Sequence, residues 1–167
     1  LDTIQVLYEQ GQDFHLIMPT LPSLEFELLK RLEDYDFEAY VVTQNEHKWD
    51  TFAACDLAMA VSGTVGLELA YMGVPHIIGY KAHPVTGAIV RHVTHVEYAH
   101  LANILMDQEI VPEYLQGDCN VNNLVRAMLH LKTHPEERDA QKAAFAKMNV
   151  VLKPEGAYAM PSALAAD

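Results

Sequence analysis

The sequence predicts an α/β fold in which a parallel sheet is flanked by helices. Short apolar runs alternate with stretches of helical periodicity, and glycine or proline punctuates the junctions between them. One junction, Ser62-Gly63-Thr64-Val65-Gly66-Leu67-Glu68, is a small-residue bend that opens directly into an apolar helix. Strands and helices spaced in this way favour βαβ units with right-handed crossovers.

Each element has its own signal. Ile4, Leu7 and Tyr8 recur at helical spacing from the first turn, and Gly11 ends that helix. The chain opens at Leu1-Asp2-Thr3 without a methionine, so the expectation is a piece of something longer. Phe14 to Met18, before Pro19, is a short buried-strand run, and a helix is expected from Leu21 to about Leu32. Phe37 to Thr43 reads as the next strand. Glu46 to Cys55 reads as a helix with Trp49, Phe52 and Ala53 on one side. Asp56 to Val61 is the third strand, and a helix from Thr64 stops at Gly73. Pro75 to Tyr80 is the fourth strand. Beyond Pro84 the pattern turns helical, over Val85–Val93, a short turn near Leu101–Met106, Val121–Leu131 and Pro135–Met148. Pro135 fits a first helical position. The Ala-rich stretch after residue 152 has little to pack, and disorder is expected over 153–167.

Composition narrows the function. At 167 residues, 50% hydrophobic and 20% charged, the chain can bury the core of one domain, and it holds no apolar stretch of membrane-spanning length. Cys55 and Cys119 show no metal-ligand spacing, and no secretory signal is recognisable, so reduced thiols in a cytoplasmic setting are expected. A formal charge of −12 argues against nucleic acid or an anionic membrane surface as the partner of this segment. Any anion must be held locally. Between Trp49 and Val125 the only lysine or arginine residues are Lys81 and Arg91, with His83, His92 and His95 around them.

The 62–68 bend is the feature best suited to that task. A bend of small residues entering a helix leaves backbone N–H groups unpaired, with the helix dipole behind them, and this binds anions. Thr64 is expected to cap the helix, with Glu68 one turn further along the same face. A capping box would need its acid at position 67, where leucine stands, so Glu68 is free to accept hydrogen bonds from sugar hydroxyls. Ribose is the natural candidate, although a well-capped buried helix with one solvent-facing acid reads from the same residues.

Other chemistries find little support. None of the nine histidines lies in an H-x-x-x-H pair with a nearby acid on a convincing helix face, so no metal site is expected. His76 lies in a strand, where a satisfied core histidine is the commoner case. No G-x-S-x-G elbow, G-x-x-x-x-G-K-[ST] loop or G-x-G-x-x-G is present, which disfavours hydrolases, kinases and dehydrogenases. Asn103 sits among apolar residues and needs a partner for its amide, through the backbone or through a ligand.

Three blocks, S-G-T-V-G-L-E-L-A-Y-M-G-V-P, G-Y-K-A-H-P-V-T and A-N-I-L-M-D-Q-E-I-V-P-E-Y-L-Q, occur in this order. Together they resemble the C-terminal half of the lipid-A-disaccharide synthases, inverting glycosyltransferases of the two-domain GT-B type. The resemblance covers about Leu1 to Leu152. Its S-G-T-x-x-L-E block falls on Ser62, Gly63, Thr64, Leu67 and Glu68, and its Y-[RK]-x-x-P-x-T block on Tyr80, Lys81, Pro84 and Thr86. Asn103, Leu105, Glu109, Val111, Pro112, Glu113, Leu115 and Gln116 match the later blocks. Ala102 replaces a proline there, Ile104 a leucine, and Asp107 and Gln108 stand where glycine and arginine are usual. A G-S-R-x-x-E-I loop that normally precedes the first helix has no counterpart in this chain.

The resemblance implies a Rossmann-like domain over residues 1–152 that holds the UDP part of UDP-2,3-diacylglucosamine. The sugar would pass to 2,3-diacylglucosamine 1-phosphate, with no metal or other cofactor. Ser62, Gly63 and Thr64 would hold the diphosphate, Glu68 the ribose, Lys81 phosphate charge, and Asn103 would line the donor cleft. The acceptor site and general base would belong to an N-terminal domain absent from this chain, which alone would bind without catalysing. Contact with the inner membrane would also lie elsewhere, and apolar surface left uncovered would favour self-association. Two other readings stand beside this one. A UDP-sugar 2-epimerase-like domain shares the fold and the bend, and a non-catalytic module could use the same bend to bind phosphate.

Overall fold

The computed structural model describes residues 1–81 and 98–152. The expected helix over Val85–Val93, the tail 153–167, and Arg91, His83, His92 and His95 lie outside the described residues.

Among the described residues, five short strands, all paired in parallel, form the framework. β1 (Leu16–Pro19) pairs with β2 (Ala39–Val42), and β4 (His76–Tyr80) lies between β3 (Ala58–Ala60) and β5 (Glu113–Leu115). The expected parallel α/β architecture is thus present, in two ladders rather than one. The helices are α1 (Asp2–Glu9), α2 (Pro22–Leu32), α3 (Lys48–Ala53), α4 (Thr64–Tyr71), α5 (Leu101–Met106), α6 (Val121–Thr133) and α7 (Pro135–Leu152). A 3₁₀ turn at Asn45–His47 leads into α3, so the helix expected from Glu46 starts later. The strands are shorter than their apolar runs. Phe37 is buried outside β2, against Tyr35 and Phe14 at ring separations of 5.3 and 6.4 Å. β5 was not expected, because three half-buried residues beside Pro112 give no alternation to read.

β4 organises the core, since its residues alternate between two faces. Ile78 points into a layer with Ala70 of α4, Ala102 of α5 and Phe145 and Met148 of α7. Ile77 points the other way, toward Leu124, Ala127 and Leu131 of α6. Gly79 shares that second face, and a Cβ there would lie 3.3 Å from Leu124. Each fully buried side chain of this size contributes about 1.5–3 kcal/mol relative to exposure, so the two layers carry most of the stability.

The first layer also encloses two histidines at 0% exposure, His76 and His100. His76 stacks on Phe145 with ring centroids 5.4 Å apart, and its backbone N–H donates to Gln141 Oε1 at 3.0 Å. Its Nδ1 lies 2.8 Å from Val74 O and must carry the proton, which leaves Nε2 as an acceptor. His100 Nδ1 accepts from the Ala102 N–H at 3.2 Å, so its proton is on Nε2, 3.2 Å from His76 Nε2. Both rings are therefore neutral and satisfied, as expected for His76. Burial is the main cause that lowers the His76 pKa from 6.5 to about 4, and His100 adds to the effect. Burial also lowers His100, against the opposing pull of Glu113 and of a hydrogen bond to the Gly66 backbone.

A Cβ on Gly66 would lie 2.4 Å from His100 Nε2. That ring is held by its own cap hydrogen bond and cannot swing away. Gly66→Ala should gain about 0.5–1 kcal/mol of helix propensity and lose about 1–3 kcal/mol to overpacking, a net destabilisation that urea unfolding can measure. His76 sets the sign of the acid response. Below pH 6.5 the unfolded chain takes up a proton that the native His76 refuses until about pH 4. Stability is therefore complete above pH 6.5 and should fall with decreasing pH, at up to about 1.4 kcal/mol per pH unit from this group. Urea midpoints between about pH 7 and pH 5, before most carboxylates titrate, should show this slope and its reduction in His76→Met.

Candidate functional site

The 62–68 bend lies at the carboxyl end of β3, where ligands of open parallel α/β sheets bind. Gly63 is the N-cap of α4, with φ 157° and ψ −167°, a region nearly confined to glycine. Thr64 was expected to be the cap. It is instead the first helical residue, and among the described residues no side-chain cap hydrogen bond forms on this helix. The physical reason is Gly63's extended geometry, which takes the cap position and brings no side-chain oxygen. Among the described residues the first turn of α4 thus has no side-chain partner for its leading N–H groups, the arrangement that suits an anion.

Ser62, expected at the diphosphate, also makes a contact within the fold. Its hydroxyl donates to Ala99 O at 2.8 Å and ties the bend to the segment before α5. That segment is held in turn by Glu113 of β5. Glu113 Oε2 accepts from the Ala99 N–H, and Oε1 from the His100 N–H and from Asn103 Nδ2, all at 2.8 Å. Asn103 is fully buried, and its amide is saturated. Nδ2 also donates to Val111 O at 2.8 Å, and Oδ1 accepts from the N–H groups of Ile110 and Val111 at 2.9 Å each. Of the two readings open for Asn103, the geometry displays the backbone one. The amide fastens the loop before β5 to α5 and has no hydrogen-bonding group left for a ligand.

Glu68 lies one turn into α4, and its Oε2 sits 2.6 Å from the ammonium of Lys48, with both side chains 26% exposed. That oxygen is buried and has, among the described residues, no hydrogen-bond donor besides. Lys48 also stands over the rings of Trp49 and Phe52, 5.5 and 5.8 Å from their centroids. This cation escaped the sequence reading because it stands one position before the window that isolated Lys81 and Arg91. No motif marks it, and only the packing of α3 beside α4 reveals it. Lys81 is exposed at the carboxyl end of β4, on the same side of the sheet as the bend.

A concavity of about 510 Å³ opens at the opposite end of the sheet, among Cys55, Asp56, Gly73, Lys132, Arg138 and Lys142. Two of its cations are already engaged. Arg138 donates to the carbonyls of Leu131 and Lys132 at the end of α6, and Lys132 Nζ donates to Gln12 Oε1 at 3.0 Å. The carbonyl ends of α3 and α4 also face this side, which disfavours an anion there. The bend remains the better site.

The family profile described as lipid-A-disaccharide synthetase matches residues 1–166. Among similar proteins, the lipid-A-disaccharide synthase of Rhodospirillum centenum is 36% identical over 139 residues, covering 83% of this chain and 35% of that protein. That of Bradyrhizobium diazoefficiens is 33% identical over 161 residues, covering 96% of this chain and 41% of its own. That of a Rhodopseudomonas palustris strain is 35% identical over 166 residues, covering 99% and 41%. The chain therefore spans well under half the length of these relatives. With the α/β fold, the uncapped bend and a match along nearly the whole chain, this protein belongs to the lipid-A-disaccharide synthase family.

Proposed function

We propose that this chain is the donor-binding part of a glycosyltransferase that joins UDP-2,3-diacylglucosamine to 2,3-diacylglucosamine 1-phosphate. The observation that carries this reading is the uncapped N-terminus of α4 at the carboxyl end of β3, with Glu68 on the face one turn further in. The N–H groups after Ser62 and Gly63, with Thr64 at their head, receive the diphosphate. Glu68 accepts from the ribose hydroxyls, Lys81 contributes charge at the rim, and Asn103 acts through the loop it fastens.

The bend would also favour the reaction itself. Negative charge grows on the UDP phosphate as the sugar leaves, and preoriented N–H donors at a helix N-terminus stabilise it in place. The acceptor site and general base belong to the remainder of the enzyme, so this chain alone binds and does not transfer. The apolar side chains that α2 exposes, Leu24, Phe26 and Leu29, offer surface for that remainder or for a second copy. No helix among the described residues is long and apolar enough to cross a membrane. In this proposal, contact with acylated substrates at the cytoplasmic face of the inner membrane falls to the remainder as well.

UDP at a hundredfold excess over its Kd should stabilise the chain by about 2.7 kcal/mol, a rise of roughly 5–10 °C in thermal midpoint, and Glu68→Ala should lose most of it. A chain that responds to UDP no more than to inorganic phosphate would overturn the proposal. Light scattering over a concentration series should show self-association if the apolar surface on α2 is uncovered, and strict monomers would remove that part of the reading.

A further inference from the structure

Lys48 occupies the first position of α3, where the positive end of the helix dipole disfavours a cation. Local propensity therefore does not account for it. Its ammonium reaches away from its own helix to Glu68 on α4 at 2.6 Å, passing over Trp49 and Phe52. The two rings meet edge to face at 6.0 Å, and Phe52 is 2% exposed, so the platform is rigid. An ion pair on an open surface contributes little to stability. Here the pair is three-quarters covered and involves the one acid that the donor reading assigns to the sugar.

We propose that Lys48 is a positioning residue that fixes the Glu68 carboxylate for recognition of a ribose diol, and so sets the preference for a nucleoside diphosphate over a bare diphosphate. This rests on the donor-binding reading above. The pairing divides the work of the carboxylate. Oε2 is the buried oxygen and is held by the ammonium, while the exposed part of the side chain lies elsewhere. An ionised carboxylate offers about four acceptor positions, so anchoring one leaves the others oriented for hydroxyl donors. Without the ammonium, the buried oxygen would lose its partner, and the carboxylate would rotate toward water.

The test compares UDP with inorganic pyrophosphate by calorimetric titration of the chain and of its Lys48→Met and Lys48→Arg variants, with urea midpoints confirming that each variant folds. Lys48→Met should weaken UDP about tenfold or more and pyrophosphate less than about twofold, and Lys48→Arg should restore most of the difference. Equal weakening of both ligands would make Lys48 a phosphate contact and overturn the assignment. Unchanged preference in Lys48→Met, with the wild-type chain favouring UDP, would sink the assignment alone and leave the donor reading intact. A wild-type chain that binds UDP no better than pyrophosphate would sink both.

Discussion

The geometry of the candidate site depends on one half-buried carboxylate, that of Glu113. Its two oxygens accept from two successive backbone N–H groups and from the Asn103 amide, and so join β5, the start of α5 and the loop between them. Charge-assisted hydrogen bonds of this kind are stronger than neutral ones, and inside a protein a lost partner costs more than the bond itself contributes. The knot therefore has one well-defined arrangement.

Two contacts carry that arrangement to the bend. Ser62 donates to the carbonyl of Ala99, whose N–H Glu113 holds. The His100 ring fills the space that Gly66 leaves beside α4. A neutral ring suits the place, because His76 and Phe145 close the far side and water cannot hydrate a charge there. The bend is thus braced from behind by neutral groups. Among the described residues the first turn of α4 carries no side-chain cap, and the Lys48–Glu68 pair lies one turn further in, in a chain whose formal net charge is −12.

The same brace explains a departure from the family pattern. Asp107 stands where the resemblance implies glycine, at the C-cap of α5 with φ 47° and ψ 41°. That left-handed conformation suits glycine best, and aspartate is among the few other residues that adopt it readily. α5 accordingly ends where the loop held by Asn103 must begin, and the substitution leaves the turn in place. Asp107's neighbour Gln108 uses its backbone N–H on Asn103 O, which keeps the turn closed on the same helix.

Several features follow from the sequence alone. Runs of apolar residues with period 2 or 3.6, broken by glycine and proline, require alternating strands and helices, and Ser62-Gly63 favours a tight bend before α4. Those are local properties, decided by sterics and by where apolar groups must be buried. The partners of Asn103, the pairing of His76 with His100, the β5 strand and the approach of Lys48 to Glu68 join residues from 7 to 35 positions apart. No periodicity reports them, because a polar group's partner is chosen by which elements the core brings together. The sequence by itself determined where a glycine-led bend enters a helix; the tertiary structure decided what holds that place in shape, since buried polar groups take whichever partner the packing leaves within hydrogen-bond reach.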